Sequence, residues 1–164
     1  MKIQMIVDDE GLVPCYQTSG SAGMDLHAVI PAPSGGFSAI MNTLSRFAGK
    51  TSEPSVTIPP GCRCIFDVGV KLGLPEGYVG MVKSRSGLAF RFGVEAYHGV
   101  IDSDYHGPVK VLLFNRGSNP VVIKNGDRIA QLVVMKHVQA EVVTVEEFDR
   151  ETSRGSGGFG STGR

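Results

Sequence analysis

The chain has 164 residues, a length that fits one domain with one self-standing core. Its 16 basic and 16 acidic residues leave a formal net charge of zero; this argues against a nucleic-acid binder that neutralises many backbone phosphates, so an anionic ligand must be held by locally placed groups. No apolar run approaches the roughly 20 residues that span a bilayer, and the opening MKIQMIVDDE lacks the basic-then-apolar order of a secretion signal, so a cytoplasmic protein without membrane contact is expected.

Short apolar or alternating runs rich in Val and Ile follow one another along the chain, broken about every ten residues by Gly, Pro, Asn or Asp. They predict strands at Ile3–Val7, Met24–Ile30, Ser55–Ile58, Ile65–Val70, Tyr78–Lys83, Val109–Asn115, Val121–Lys124 and Arg128–Met135, with a further one near Val142–Val145. The turns have matching chemistry: Pro59-Pro60-Gly61, Pro75-Glu76-Gly77, Arg116 to Pro120, and Asn125-Gly126-Asp127. The economical fold is an all-β, jelly-roll-like domain. Cys62 and Cys64 sit two apart, where a strand points them to one face, and Cys15 stands alone; the four histidines form no His-x-x-x-His pair, so the cysteines read as reduced packing residues rather than zinc ligands.

Two stretches break the β pattern. Between Pro31 and Pro54, Phe37, Ile40, Met41, Leu44 and Phe47 recur at three-to-four spacing, which predicts one short amphipathic helix in an insertion over about 34–53. The other is the end, residues 154–164, so rich in glycine and so poor in apolar residues that it reads as an arm attached to a domain spanning 1–153 and ordered only by a ligand.

Several segments carry chemistry-bearing residues outside the first strands. The arm Arg154-Gly-Ser-Gly-Gly-Phe-Gly offers converging backbone N–H groups for phosphate, a ring that could stack on a base at Phe159, and a guanidinium at Arg154. A plain disordered tail has the same composition. Gly99-Val-Ile-Asp-Ser-Asp-Tyr-His-Gly107 places two carboxylates and a ring between glycines, suited to general-base or metal work or to an ordinary Asp turn. Lys83-Ser-Arg-Ser-Gly-Leu-Ala89 ends a strand and begins a helical turn, where an anion could dock or a helix could simply be capped.

Taken in order, Ser21-Ala-Gly-Met-Asp-Leu-His-Ala28, Lys83–Ala89, Gly99–Gly107, Gly126-Asp-Arg-Ile-Ala-Gln-Leu132 and Arg154–Gly163 resemble the five motifs of the trimeric dUTPase family, over a span from about Gly20 to the end. The resemblance implies a homotrimer with shared active sites that hydrolyses dUTP to dUMP and pyrophosphate with Mg2+. It implies one short helix after the second motif, beside the inserted helix. By motif position Asp102 is the base that orients and deprotonates the attacking water, with Asp104 supporting its turn. Asp25 faces magnesium through its water shell. Arg85 and Ser86, with Gly87 beside them, hold the inner phosphates, Gln131 the α-phosphate and Arg154 the γ-phosphate. Gly99 and Ile101 belong to a hairpin across Val94–Ile101 that reads uracil through backbone groups; Tyr105 packs on the deoxyribose, and Phe159 with Gly160 closes over the base. Arg128 is assigned to subunit contacts. The Pro31–Pro54 segment departs from the family pattern, and its apolar stripe suits either a structural decoration or a docking surface for a protein partner.

Two rivals share these features. A dCTP deaminase has the same fold, against which the arm with its central phenylalanine speaks. A nucleotide-sensing binding protein would use the closed arm to control a partner and would turn over slowly.

Overall fold

The computed structural model describes residues 1–31 and 54–158. The helix expected within 34–53 and the assignments of Phe159 and Gly160 lie outside the described residues.

Among the described residues ten strands and one α-helix are formed: β1 (Gln4–Val7), β2 (Gly23–His27), β3 (Ser55–Ile58), β4 (Arg63–Gly73), β5 (Tyr78–Ser84), α1 (Ser86–Phe92), β6 (Val94–Ala96), β7 (Val100–Ile101), β8 (Pro108–Asn115), β9 (Val121–Lys124) and β10 (Arg128–Lys136). Every pairing among them is antiparallel. They make one four-stranded sheet in the order β1-β4-β8-β6, a second in the order β2-β10-β5-β7, and the pair β3-β9. The jelly-roll-like β domain expected from the turn spacing is therefore present.

Alternation explains which faces meet. Along β8, Val109, Val111, Leu113 and Asn115 point inward while Pro108 and Lys110 face solvent, a period of two that gives one buried and one wet face. Residues from both sheets join a single apolar cluster, among them Leu26, Val82, Ala130 and Leu132 from one sheet and Phe66, Val70, Val111 and Leu113 from the other. A large aliphatic side chain contributes about 1.5–3 kcal/mol on burial relative to exposure, so the sheets are held face to face by burial rather than by polar contacts. Cys64 is buried in this cluster and Cys62 packs partly against it, both as free thiols. Burial pushes the Cys64 thiol up to about 11, which keeps it protonated and inert at neutral pH.

The short helix ends where glycine permits it to. Gly93 takes a left-handed φ of 67°, and its N–H donates back to Ala89 and Leu88 carbonyls as a C-cap. This helix fulfils the helical turn expected after Lys83.

Three boundaries differ from expectation. The second strand stops at His27 rather than Ile30, although Val29 adds a lone bridge to Asp67. The fourth is longer, and it accommodates a register shift between Asp67 and Lys71. No strand forms at Val142–Val145; Val142 and Val143 are 87% and 70% exposed, and the segment pairs with no strand of the described chain.

Candidate active site

The second sheet carries two separate groups of polar side chains. The first centres on Asp25. It lies in the run Met24-Asp25-Leu26 of β2, whose residues are all buried, and is itself only 1% exposed. An isolated carboxylate could not be held there, and Asp25 is fully compensated. Arg85 Nε stands 3.1 Å from its Oδ1, Gln131 Nε2 donates to the same oxygen at 3.4 Å, and Arg128 donates to Oδ2 at 3.2 Å. Arg85 Nη1 also donates to the Arg128 carbonyl at 2.9 Å, so the two guanidinium groups and the carboxylate form one network.

Strand register explains the meeting. Asp25 pairs with Gln131 across β2 and β10, and Gln131 pairs with Lys83 across β10 and β5, so Arg85 emerges two residues beyond this row. In a regular strand Arg128 and Gln131, three apart, would point to opposite faces. A register shift between Arg128 and Ala130 removes that alternation, and both side chains reach Asp25. Arg128, assigned from sequence to subunit contacts, is thus placed at the cluster by a bulge that no residue type announces. Arg85 is also the residue before α1, and the exposed Ser86 and Gly87 begin the helix, where N–H groups have no intrahelical partner. A cleft of about 430 Å³ opens beside this group, lined on one side by Arg85, Arg128 and Asp127 and on the other by Leu88, Phe92 and Val121.

The second group lies in the hairpin after β7. Asp102 is exposed, follows Ile101 directly, and accepts at its carbonyl the N–H of Tyr105 at 3.2 Å, closing a tight turn. The side chain of Ile101 is buried in the core, leaving its backbone to the site. The Gly99 carbonyl accepts from Val82 N–H at 2.9 Å, which ties the hairpin to β5. Tyr105 OH donates to the Pro108 carbonyl at 3.0 Å, and its ring covers Gly107 so closely that a methyl group there would stand 2.6 Å from Cζ and Oη. Asp102, Tyr105, Gly99 and Ile101 line one cleft of about 270 Å³, with Val82, Pro108 and Lys110 completing it.

The two groups do not meet. Ile101 is opposite Gly80, so Asp102 is level with Val79, four residues along β5 from Lys83 and three strands across from β2. Strand geometry makes that about 13 Å along the strands and about 14 Å across the sheet. Arg154 joins neither group: its Nε donates to Gly157 O at 2.8 Å within the arm.

The donor set does not fit a magnesium ion facing Asp25. Both carboxylate oxygens are engaged by cations or an amide. Asp25, expected to look toward the metal's water shell, looks toward two arginines.

Residues 51–163 match the family model for dUTPase. The chain belongs to the dUTPase family. Its relatives include the deoxyuridine 5'-triphosphate nucleotidohydrolase of Rhizobium etli (strain CIAT 652), 40% identical over 161 residues that cover 96% of this chain and 90% of the relative. That of Anaeromyxobacter sp. (strain Fw109-5) is 44% identical over 154 residues, covering 93% and 88%. The fold matches the dUTPase of Staphylococcus bacteriophage 80alpha, solved with dUpNHpp, at a TM-score of 0.75 and 25% identity over 99% of each chain. The dUTPase activity that this membership carries is hydrolysis of dUTP.

Proposed function

We propose that the chain hydrolyses dUTP to dUMP and pyrophosphate at sites shared between subunits of a homotrimer, by in-line attack of water on the α-phosphorus. One observation carries the shared site. A base must stand within hydrogen-bond reach of the water it activates, about 2.6–3.2 Å, and that water must lie against a phosphate held by Arg85 and Gln131. On one chain Asp102 and Arg85 belong to groups set well apart, so a second copy has to bring Asp102 to the phosphate cluster. The exposed run containing Val142, Val143, Val145 and Phe148 supports the same reading, since an apolar segment of this kind calls for a partner surface.

Each residue then has a role. Asp102 takes the proton of the attacking water, and developing charge on the phosphates falls on Arg85, Ser86 and Gly87, Gln131 and the arm's Arg154. Gly99 and Ile101 present backbone groups to uracil, Tyr105 meets the sugar, and Phe159 with Gly160 closes the base. Magnesium enters as the metal complex of the substrate, held by triphosphate oxygens and water, the usual preference of this ion. Residues 1–153 act as the β domain and 154–164 as the closing arm. The reaction limits uracil incorporation into DNA and supplies dUMP for dTMP synthesis. Among the described residues no helix is long and apolar enough to cross a membrane, and a cytoplasmic location belongs to the same reading.

Pyrophosphate release from dUTP, with ammonia release from dCTP in parallel, tests the reaction against the deaminase alternative. Asp102→Asn keeps the turn but loses the base, so it should bind dUpNHpp as the wild type does while hydrolysis falls by about two to four orders of magnitude. Turnover within a few-fold of wild type would refute the assignment of Asp102. Tight nucleotide binding without turnover in the wild type would instead favour a nucleotide-sensing protein.

A further inference from the structure

We propose that Asp25 is a positioning residue that fixes Arg85 and Gln131 for the triphosphate, and that it does not act on magnesium. The inference rests on the dUTP reading and deepens it at one residue.

Geometry comes first. A carboxylate has about four lone-pair sites. Two of them on Asp25 accept hydrogen bonds, from Gln131 Nε2 on Oδ1 and from Arg128 Nη1 on Oδ2, and Arg85 Nε stands in ion-pair contact 3.1 Å from Oδ1. At 1% exposure the carboxylate has no surface left on which a hydrated dication could rest. The same contacts restrain Arg85. Its Nε is held in ion-pair contact with Asp25 and its Nη1 donates to the Arg128 carbonyl, while Nη2 makes no hydrogen bond among the described residues. A fork held along one edge presents the other in a fixed direction, and less freedom is then lost when it grips a phosphate.

Charge points the same way. One carboxylate among two guanidinium groups leaves the cluster one positive charge in excess, a balance that receives an anion. Adding a phosphate would bring the cluster to neutrality.

Removing the metal separates the two roles. A residue that works through magnesium has nothing to act on in EDTA, whereas one that orients Arg85 acts with or without the ion. Affinity for dUpNHpp is measured in EDTA by calorimetry, alongside KM and kcat for dUTP across a magnesium titration. Asp25→Asn should weaken metal-free binding about tenfold or more and raise KM by a similar factor. The magnesium concentration giving half-maximal turnover should stay at the wild-type value. Asp25→Asn should cost less affinity in an Arg85→Lys background than in the wild type, because the carboxylate then has only Gln131 left to orient. An equal cost in both backgrounds would show that Asp25 does not act through Arg85. Equal affinity of wild type and Asp25→Asn in EDTA, with a raised magnesium requirement in the variant, would overturn the proposal. Should Asp25→Asn fail to fold, Arg128→Gln carries the test. It keeps the carboxylate and loosens the network, so metal-free affinity should fall several-fold, and wild-type affinity would overturn the proposal. A wild-type protein that binds no dUpNHpp would overturn the dUTP reading itself.

Discussion

Tyr105 is restrained at two points, by the bond from its hydroxyl to Pro108 O and by the contact of its ring with Gly107, yet the ring remains 46% exposed in the cleft that holds Asp102. A ring so fixed cannot swing aside for a larger sugar. If Tyr105 meets the sugar as proposed, discrimination against a ribose hydroxyl would be steric and would depend on the ring being present and immobile. Tyr105→Ala should lower the ratio of kcat/KM for dUTP over UTP by about tenfold or more, mostly through improved use of UTP. An unchanged ratio would show that the sugar is read elsewhere. Tyr105 was legible in the sequence because its motif names it, and so was its proximity to Asp102. Its tether to Pro108 was not, since a bond to a backbone carbonyl leaves no mark on residue type. The bond of Arg128 to Asp25 was not legible for a related reason: its face is set by a bulge rather than by its place in the alternation.

At the level of elements, the loop after β8 is organised by one buried side chain. Asn115 is 1% exposed, and its Nδ2 donates to the carbonyls of Ile58 and Asn119, both at 2.8 Å, while Oδ1 accepts from Gly117 N–H at 3.0 Å. Its backbone adds bonds to Cys62 and Gly61, and the next N–H, of Arg116, reaches Gly93 O at 2.8 Å. The Asn115 amide thus ties the end of β3 to the turn after β8, while the backbone of Asn115 and Arg116 reaches the turn before β4 and the end of α1. Asn115→Ala should destabilise the protein by about 2–3 kcal/mol, because the buried Ile58 carbonyl loses its donor and two part-buried bonds to the turn go with it. Asn115→Asp should be at least as damaging despite its equal size, since it replaces two donors with a buried charge. Chemical denaturation at fixed protein concentration measures both, and a loss below about 1 kcal/mol in the alanine variant would refute this role. The sequence showed β8 clearly through its period of two, and the turn after it through Gly117, Asn119 and Pro120. It could not show that Asn115 was the internal support of that turn, because asparagine at a strand end usually marks only the turn itself. The expected strand at Val142–Val145 illustrates the converse. Consecutive valines state a preference for extended structure, but a strand needs a partner, and this segment pairs with none in the described chain.

At the scale of the whole molecule, the question is which chain completes which site. The described part of the arm bonds to itself: Arg154 to Gly157 O, and Gly155 N–H to Thr152. Its Arg154 makes no bond to the Asp25 group or the Asp102 hairpin of its own subunit. The arm's glycines give it reach, and the proposed homotrimer would place each site at a boundary where another subunit's arm can arrive. Two inactive variants should therefore rescue each other. One carries Asp102→Asn with its arm intact, and the other ends at Ser153 with Asp102 intact. A working site needs Asp102 from a truncated chain and an arm from a substituted chain, so unfolding and refolding an equal mixture should restore roughly a quarter of the sites if assembly is unbiased. Were the arm to close over Asp102 of its own subunit, no combination could be active, because every chain would bring one defect to its own site. Each variant refolded alone gives the baseline, and mass spectrometry of the intact complex establishes that mixed trimers have formed. Mixed trimers no more active than that baseline would refute the shared site.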